Sequence, residues 1–217
     1  MARPFLTDEA KAAFTGAIRA VESQSCAELV VAVRPRSAAY LDAAFGAALA
    51  AVFVTLALLL FTPWDFGLIW FLVDPALAAV LAGLLVWNLP VLARLLTRRR
   101  ERRQRVGEVA RALFVDKRIH QTSGRTGILF YVSVLEREAV LVPDVAVEAL
   151  LLGKPGEADA TDAADGWRRV VARIDEALGR GAPGTEIAAR LAELGEVLSG
   201  PLPRLEGDVD ELPNEVM

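Results

Sequence analysis

The sequence predicts an α/β domain interrupted by a membrane hairpin: a mixed sheet sandwiched between helices, with two apolar helices inserted after the first strand. Three observations lead there. Residues 40–96 are almost uninterrupted apolar sequence and run into Thr97-Arg98-Arg99-Arg100-Glu101-Arg102-Arg103-Gln104-Arg105. Residues 26–33 (CAELVVAV) are apolar on both faces, the pattern of a strand covered on both sides. A second such run, residues 127–135 (GILFYVSVL), follows a helical segment. Strand, crossover and strand then make a parallel unit, with the hairpin lodged in its crossover.

Residues 1–25 read as an amphipathic helix. Thr7 caps it, Asp8 and Glu9 suit the positive end of its dipole, and Phe14, Ile18 and Val21 recur at helical spacing. Its polar face is not basic, so it is expected to pack on a sheet rather than lie on lipid. Asp8, Glu9 and Lys11 also stand where a signal peptide needs apolar residues. In the strand at 26–33, Glu28 is the exception to an apolar run. It reads either as a ligand or catalytic carboxylate or, more commonly at a strand entrance, as an edge-exposed glutamate.

A helix needs about 20 apolar residues to cross a bilayer core. Residues 40–61 supply them with one charge, Asp42, near the start. The second span is expected at about 75–96, because a carboxylate at mid-bilayer costs about 2.5–3.5 kcal/mol on insertion scales and placing Asp74 at the interface avoids that cost. Residues 66–73 then lie along the far interface, where Trp64, Phe66 and Trp70 suit the headgroup zone. The turn carries Asp65 and Asp74 but no Lys or Arg, whereas the other ends carry Arg34 and Arg36 and then Arg98, Arg99, Arg100, Arg102, Arg103 and Arg105. The positive-inside rule puts both ends, and the soluble domain with them, on the cytoplasmic side of the inner membrane. The arginines read equally as a topology signal and as a surface for anionic lipid, at about 1 kcal/mol each. Gly46, Ala47, Ala50 and Ala51, with Ala79 and Gly83, let two helices approach closely or are simply apolar filler.

Beyond the hairpin the chain stays helical to about residue 118, with Val106, Val109, Ala110, Leu113 and Phe114 as its apolar stripe. Residues 127–135 and 139–142 are the next strands, and Glu136-Arg137-Glu138 between them makes a tight polar turn, so the pair is antiparallel and the sheet mixed. Asp144 follows at once. It is a helix N-cap worth about 1 kcal/mol, or a metal or catalytic carboxylate. Residues 153–165 read as a solvated acidic loop. Glu157, Asp159, Asp162 and Asp165 have the composition of a calcium site but not EF-hand spacing. Trp167, Val170, Val171, Ile174 and Leu178 mark one helix; Ile187, Leu191, Leu194 and Leu198 mark another, stopped by Gly200-Pro201. Asp208-Val209-Asp210 lacks the hydrophobic strand that an aspartate nucleophile needs before it. The expected organisation is 1–37 for the first helix and strand, 38–97 for the hairpin, 98–200 for the rest of the domain and 201–217 for an acidic tail.

Composition narrows the function classes. The chain has 217 residues, 54% of them hydrophobic, enough for the hairpin and one soluble domain. The net charge of −4 is segregated into a basic juxtamembrane run and an acidic tail, which argues against a nucleic-acid partner. The single cysteine, Cys26, excludes an internal disulfide and suits a reducing compartment. The single histidine, His120, excludes a His-rich metal centre, and no P-loop or dinucleotide fingerprint is present.

Thr122-Ser123-Gly124-Arg125-Thr126-Gly127-Ile128-Leu129, then Glu136-Arg137, Asp144, Trp167 and finally Glu211-Leu212-Pro213 resemble the pattern of the TPM domain family of bacterial membrane, thylakoid and nematode proteins. Ala27-Glu28-Leu29-Val30-Val31 is similar to its first strand. The motif positions are Thr122, Arg125, Gly127, Asp144, Trp167, Glu211 and Pro213. The resemblance implies a mixed sheet between helices, a divalent metal (calcium or magnesium) held by acidic residues and, for some plant members, phosphatase activity. Many relatives carry a cleaved signal and a C-terminal anchor, so their location does not carry over to a chain with an internal hairpin. The expected function is a membrane-tethered binding or assembly module at the cytoplasmic membrane surface, with the lipid bilayer and a membrane protein as partners. The alternative is a metal-dependent phosphatase in which Asp144 and Glu28 approach one metal and activate water. A transporter reading has only Asp74 in its favour.

Overall fold

The computed structural model describes residues 5–152, 158–204, 211–212 and 216. Two compact units divide the chain: Met1–Ser37 with Arg103–Met217, and Ala38–Arg102.

The first unit is built on a three-stranded sheet of order β1-β2-β3, comprising β1 (Glu28–Arg34), β2 (Gly127–Ser133) and β3 (Glu138–Pro143). β1 and β2 pair in parallel, from Glu28 opposite Gly127 to Arg34 opposite Ser133. β2 and β3 pair antiparallel, with Ile128 opposite Pro143 and Ser133 opposite Glu138. The sheet is therefore mixed, as the two apolar runs and the short turn predict.

Strand alternation splits the core into two layers. Leu29, Val31 and Val33 of β1 and Ile128, Phe130 and Val132 of β2 join one cluster, while Val30, Ala32, Leu129 and Tyr131 join the other. Against the first lie α1 (Asp8–Gln24), α7 (Ala158–Arg180), α8 (Gly184–Ala192) and α9 (Leu194–Ser199), with Val147 of α6 (Val145–Leu152). Against the second lies α5 (Arg99–Asp116), through Val106, Ala110 and Phe114, followed by Ile119 of a short 3-10 turn, Ile119–Gln121. Thr7 caps α1 as expected, its Oγ1 accepting from the Ala10 amide at 3.1 Å.

Several local expectations change in the structure. The presumed acidic loop at 153–165 is already helical from Ala158, so Asp162 and Asp165 lie on α7, and Asp165 pairs with Arg168 one turn on at 2.5 Å. The expected helix through Ile187 and Leu198 is two helices broken at Glu193. The tight turn between β2 and β3 forms as expected, but Glu136 and Glu138 are buried, to 1% and 2% exposure. The physical reason for Glu136 is a hydroxyl chain at the carboxyl ends of β1 and β2. Ser133 Oγ donates to Glu136 Oε2, Ser37 Oγ donates to Ser133 Oγ at 2.7 Å, and Ser37 Oγ lies 2.9 Å from Tyr131 Oη. A carboxylate only accepts and each hydroxyl has one proton, so Tyr131 is left to donate to Ser37. The Ser37 amide also donates to Glu136 Oε1 at 3.0 Å. Burial holds the Tyr131 phenol above its ordinary pKa, with the Glu136 carboxylate adding to the rise.

The second unit holds α2 (Leu41–Phe61), α3 (Trp70–Asn88) and α4 (Pro90–Leu96). α2 and α3 are long and apolar enough to cross a membrane, and only 6% and 11% of their apolar windows are buried. The second long helix runs over Trp70–Asn88 rather than 75–96, because Pro90 removes an amide donor and forces Leu89 out of the helical region, to φ −112° and ψ 86°. Asp74 thus lies inside the early turns of α3 instead of before it, and Pro75 inside the helix rather than at its start. Of the small residues, Gly83 meets Ala44 and Ala48: a Cβ at 83 would stand 3.8 Å from the Ala48 Cβ. Gly46, Ala47 and Ala50 line a cleft of about 300 Å³ that Leu96 and Thr97 close from the other side.

Replacing Glu136 by alanine leaves the Ser133 hydroxyl and the Ser37 amide without their acceptor. The expected loss is about 1–3 kcal/mol for each buried donor left unsatisfied, read as a lower unfolding midpoint in denaturant for the detergent-solubilised chain. An unchanged midpoint would show that the network carries no stability.

Candidate functional site

Most of the motif positions meet at the amino-terminal ends of β1 and β2. The segment from Ile119 to Gly127 turns sharply: the Arg125 amide donates to the Thr122 carbonyl at 3.1 Å, and the Thr126 amide to Thr122 Oγ1 at 3.1 Å. Arg125 sits in the left-handed region at φ 53°, which costs a non-glycine residue about 1–2 kcal/mol. Its guanidinium offsets part of this by donating to the His120 carbonyl at 2.7 Å. Gly127 is required by space: a Cβ there would lie 2.3 Å from the Ile119 carbonyl oxygen.

The C-terminal residues are tied to this loop by two carboxylates. Glu211 accepts from the Ser123 hydroxyl at 2.5 Å and from the Ser123 amide at 3.0 Å, and these bonds hold its carboxyl below the usual glutamate range. Glu28 accepts from the amides of Glu211 and Leu212, both at 3.3 Å. The expectation of an edge-exposed Glu28 is thus corrected: the side chain is 6% exposed, with Glu211 and Leu212 against its carboxylate, while Val216 bridges Val31 in parallel further along β1.

Asp144 lies across Gly127 from Glu28, its amide donating to the Gly127 carbonyl at 2.8 Å. It starts α6, with Oδ1 accepting from the Val145 amide at 2.8 Å, while Oδ2 is buried without a hydrogen-bond partner. Two strand spacings, about 10 Å, separate the Glu28 and Asp144 backbones, and the Ile119 backbone occupies the place of a side chain at 127 between them. Among the described residues no three of His, Cys, Asp and Glu are placed to hold a metal ion. The spare Asp144 oxygen is the one feature here that suits a cation, well short of the six to eight oxygens calcium takes.

Trp167 does not join this group. It packs from α7 against the first core layer. His120 stands beside Phe114, ring centroids 6.2 Å apart, with its Nδ1 buried and unpartnered. Pro213, Glu157 and Asp208-Val209-Asp210 lie outside the described residues, as do the side chain of Asp159 and most of the acidic tail. Sequence reading missed the Ser37, Ser133 and Glu136 chain. Its one signal was Ser133, a hydroxyl inside an otherwise apolar strand.

The basic run is divided by contacts. Arg102 donates to the carbonyls of Arg94 at 2.7 Å and Thr97 at 2.6 Å, and Arg103 pairs with Asp175 at 3.1 Å.

No family model and no curated protein matches the chain. Among solved structures the chain is similar to the BA42 protein of the psychrophilic bacterium Bizionia argentinensis, determined by NMR. The likeness covers 100% of this chain and 97% of that one, with a TM-score of 0.56 and 16% identity. At that identity the likeness shows the fold: a TPM-like mixed sheet flanked by helices, here with two long apolar helices inserted after the first strand.

The Glu211 carboxyl has a depressed folded pKa, so its contribution is present above the ordinary glutamate pKa and is lost as pH falls through the folded value. Glu211→Gln is expected to lower the protection of the Ser123 and Leu212 amides against hydrogen exchange, relative to their intrinsic rates, at neutral pH, and acidification of the wild type through the depressed folded value of the Glu211 carboxyl is expected to do the same. Unchanged exchange in both cases would show that Ser123 and Glu211 do not hold the segment.

Proposed function

We propose that this chain is a membrane-tethered TPM-like module that binds or assembles another membrane protein at the cytoplasmic surface of the inner membrane. The observation that carries the reading is the exposure of α2 and α3. A core helix of a soluble protein buries its apolar side chains, whereas Phe45, Phe53, Leu58, Leu60, Leu72 and Leu81 are all more than half exposed. In water such surface is unfavourable by about 25 cal/mol per Å², and hydrocarbon removes that cost. The arginines after α4 and the lack of any Lys or Arg between α2 and α3 support a cytoplasmic location for both ends. The polar motif side chains support binding over catalysis: those of Thr122, Ser123, Arg125, Glu28 and Glu211 are committed to holding the loop and the C-terminal residues together.

Single cysteines test the arrangement. In a Cys26→Ser background, Gly67→Cys is expected to react with a membrane-impermeant maleimide on intact cells, and Ser23→Cys only after permeabilisation, with the chain staying in the pellet after alkaline extraction. Release by alkali, or the reverse labelling, would overturn the reading.

The metal-dependent phosphatase reading has one observation in its favour, the buried unpartnered Oδ2 of Asp144. Hydrolysis of p-nitrophenyl phosphate by the purified full chain, with calcium, magnesium or manganese and beside Asp144→Asn, decides it. The binding-module reading expects no turnover. Metal-dependent turnover lost in the variant would make the protein an enzyme.

A further inference from the structure

The six arginines that follow α4 are not equivalent, and the structure sorts them. Arg102 is used internally: one guanidinium nitrogen satisfies two carbonyls, those of Arg94 and Thr97, where α4 gives way to α5. These are among the carbonyls a helix end leaves without intrahelical donors. Arg103 is held by Asp175 at 3.1 Å. Arg99 and Arg105 are also engaged. Arg98 and Arg100 differ from all of these: both are exposed, and among the described residues neither side chain makes a hydrogen bond or an ion pair, the Arg98 carbonyl accepting only from the backbone amides of Glu101 and Arg102. Immediately before them Leu95 and Leu96 are 72% and 58% exposed, so apolar surface passes into unpaired guanidinium within a few residues.

That order of chemistry, hydrocarbon-facing leucine and then a cation, matches the order of groups along a phospholipid. A guanidinium fork binds phosphate oxygens in pairs and gives up its hydration more readily than an ammonium does. A soluble phosphate compound would use the arginines but has no use for the exposed leucines beside them. Resting on the membrane-tethered reading above, we propose that Arg98 and Arg100 bind the headgroup phosphate of an anionic phospholipid of the leaflet in which α4 ends. Arg102 serves instead as a structural cap and Arg103 as an ion-pair partner.

The test is native mass spectrometry of the full chain released from detergent micelles containing phosphatidylglycerol or phosphatidylcholine with the same acyl chains. The expected result is a roughly thirtyfold preference for retained phosphatidylglycerol, abolished in Arg98→Gln/Arg100→Gln, weakened but present in Arg98→Lys/Arg100→Lys and kept in Arg103→Gln. Excess inorganic phosphate should leave the lipid bound. Equal retention of the two lipids by the wild type, or a preference that survives the double glutamine variant, overturns the proposal. Displacement by inorganic phosphate does so too and points to a soluble anion instead. Thermal unfolding of the double variant within a degree or so of wild type excludes misfolding as the cause of a lost preference, and the wild-type lipid comparison stands regardless. Solubility of the chain in alkali would remove the membrane reading itself. An integral chain without lipid preference removes only this proposal.

Discussion

The parallel pairing of β1 with β2 is the constraint on which the first unit depends. Parallel neighbours cannot be joined by a tight turn, so the chain must leave the carboxyl end of β1 and return to the amino end of β2. In this protein the path between them contains α2, α3, α4 and α5. Only α5 covers the sheet, laying Val106, Ala110 and Phe114 over Val30, Ala32, Leu129 and Tyr131. The other three helices are carried by a crossover that a shorter helix alone would have completed. The fold tolerates the insertion because loop-closure entropy grows only slowly with length.

Each end of the parallel pair is secured by polar side chains, buried at the carboxyl ends except for the half-buried Ser37, and divided at the amino ends between a buried Glu28 and an exposed Glu211. At the carboxyl ends, Tyr131, Ser37, Ser133 and Glu136 form a run of hydroxyls finishing on a carboxylate, at the position where the chain departs toward α2. At the amino ends, Glu28 and Glu211 hold the C-terminal residues against the loop before β2. β1 would otherwise present an open edge, the usual template for unwanted pairing. The bridge between Val31 and Val216 covers part of it. Glu28 and Glu211 therefore both hold structure, accepting from amides and a hydroxyl of the segments they join.

The exposed apolar surface of α2 and α3 sets the environment in which the chain is stable. Both helices satisfy their own backbone hydrogen bonds, the condition for lying in hydrocarbon, and only 6% and 11% of their apolar windows are buried within the protein. Their contact through Gly83, Ala44 and Ala48 follows the rule that small residues let apolar helices approach where no hydrophobic force separates them from lipid. Pro90 ends the second helix and starts the short α4, so the chain reaches its arginines through a break in direction rather than along one straight helix.

Fold class, strand positions, the mixed pairing and the apolar hairpin were all legible in the sequence, because each is written in a local pattern: a short run apolar on both faces for β1 and β2, a period of 3.6 for α1 and α5, and a long unbroken apolar run for α2. Pro90 carried its own signal too, though the apolar run around it masked the break. What the sequence could not decide was the fate of individual carboxylates. Glu28, Glu136 and Glu138 look like solvated residues at strand ends and turns, and all three are buried. For two of them donors come from residues about a hundred or more positions away, Ser37 for Glu136, beside the nearby Ser133, and Glu211 with Leu212 for Glu28. Burial of a charged group depends on donors that only tertiary contact brings near it. For the same reason the identical-looking arginines of residues 98–105 acquired different roles only once Arg94, Thr97 and Asp175 were placed beside them.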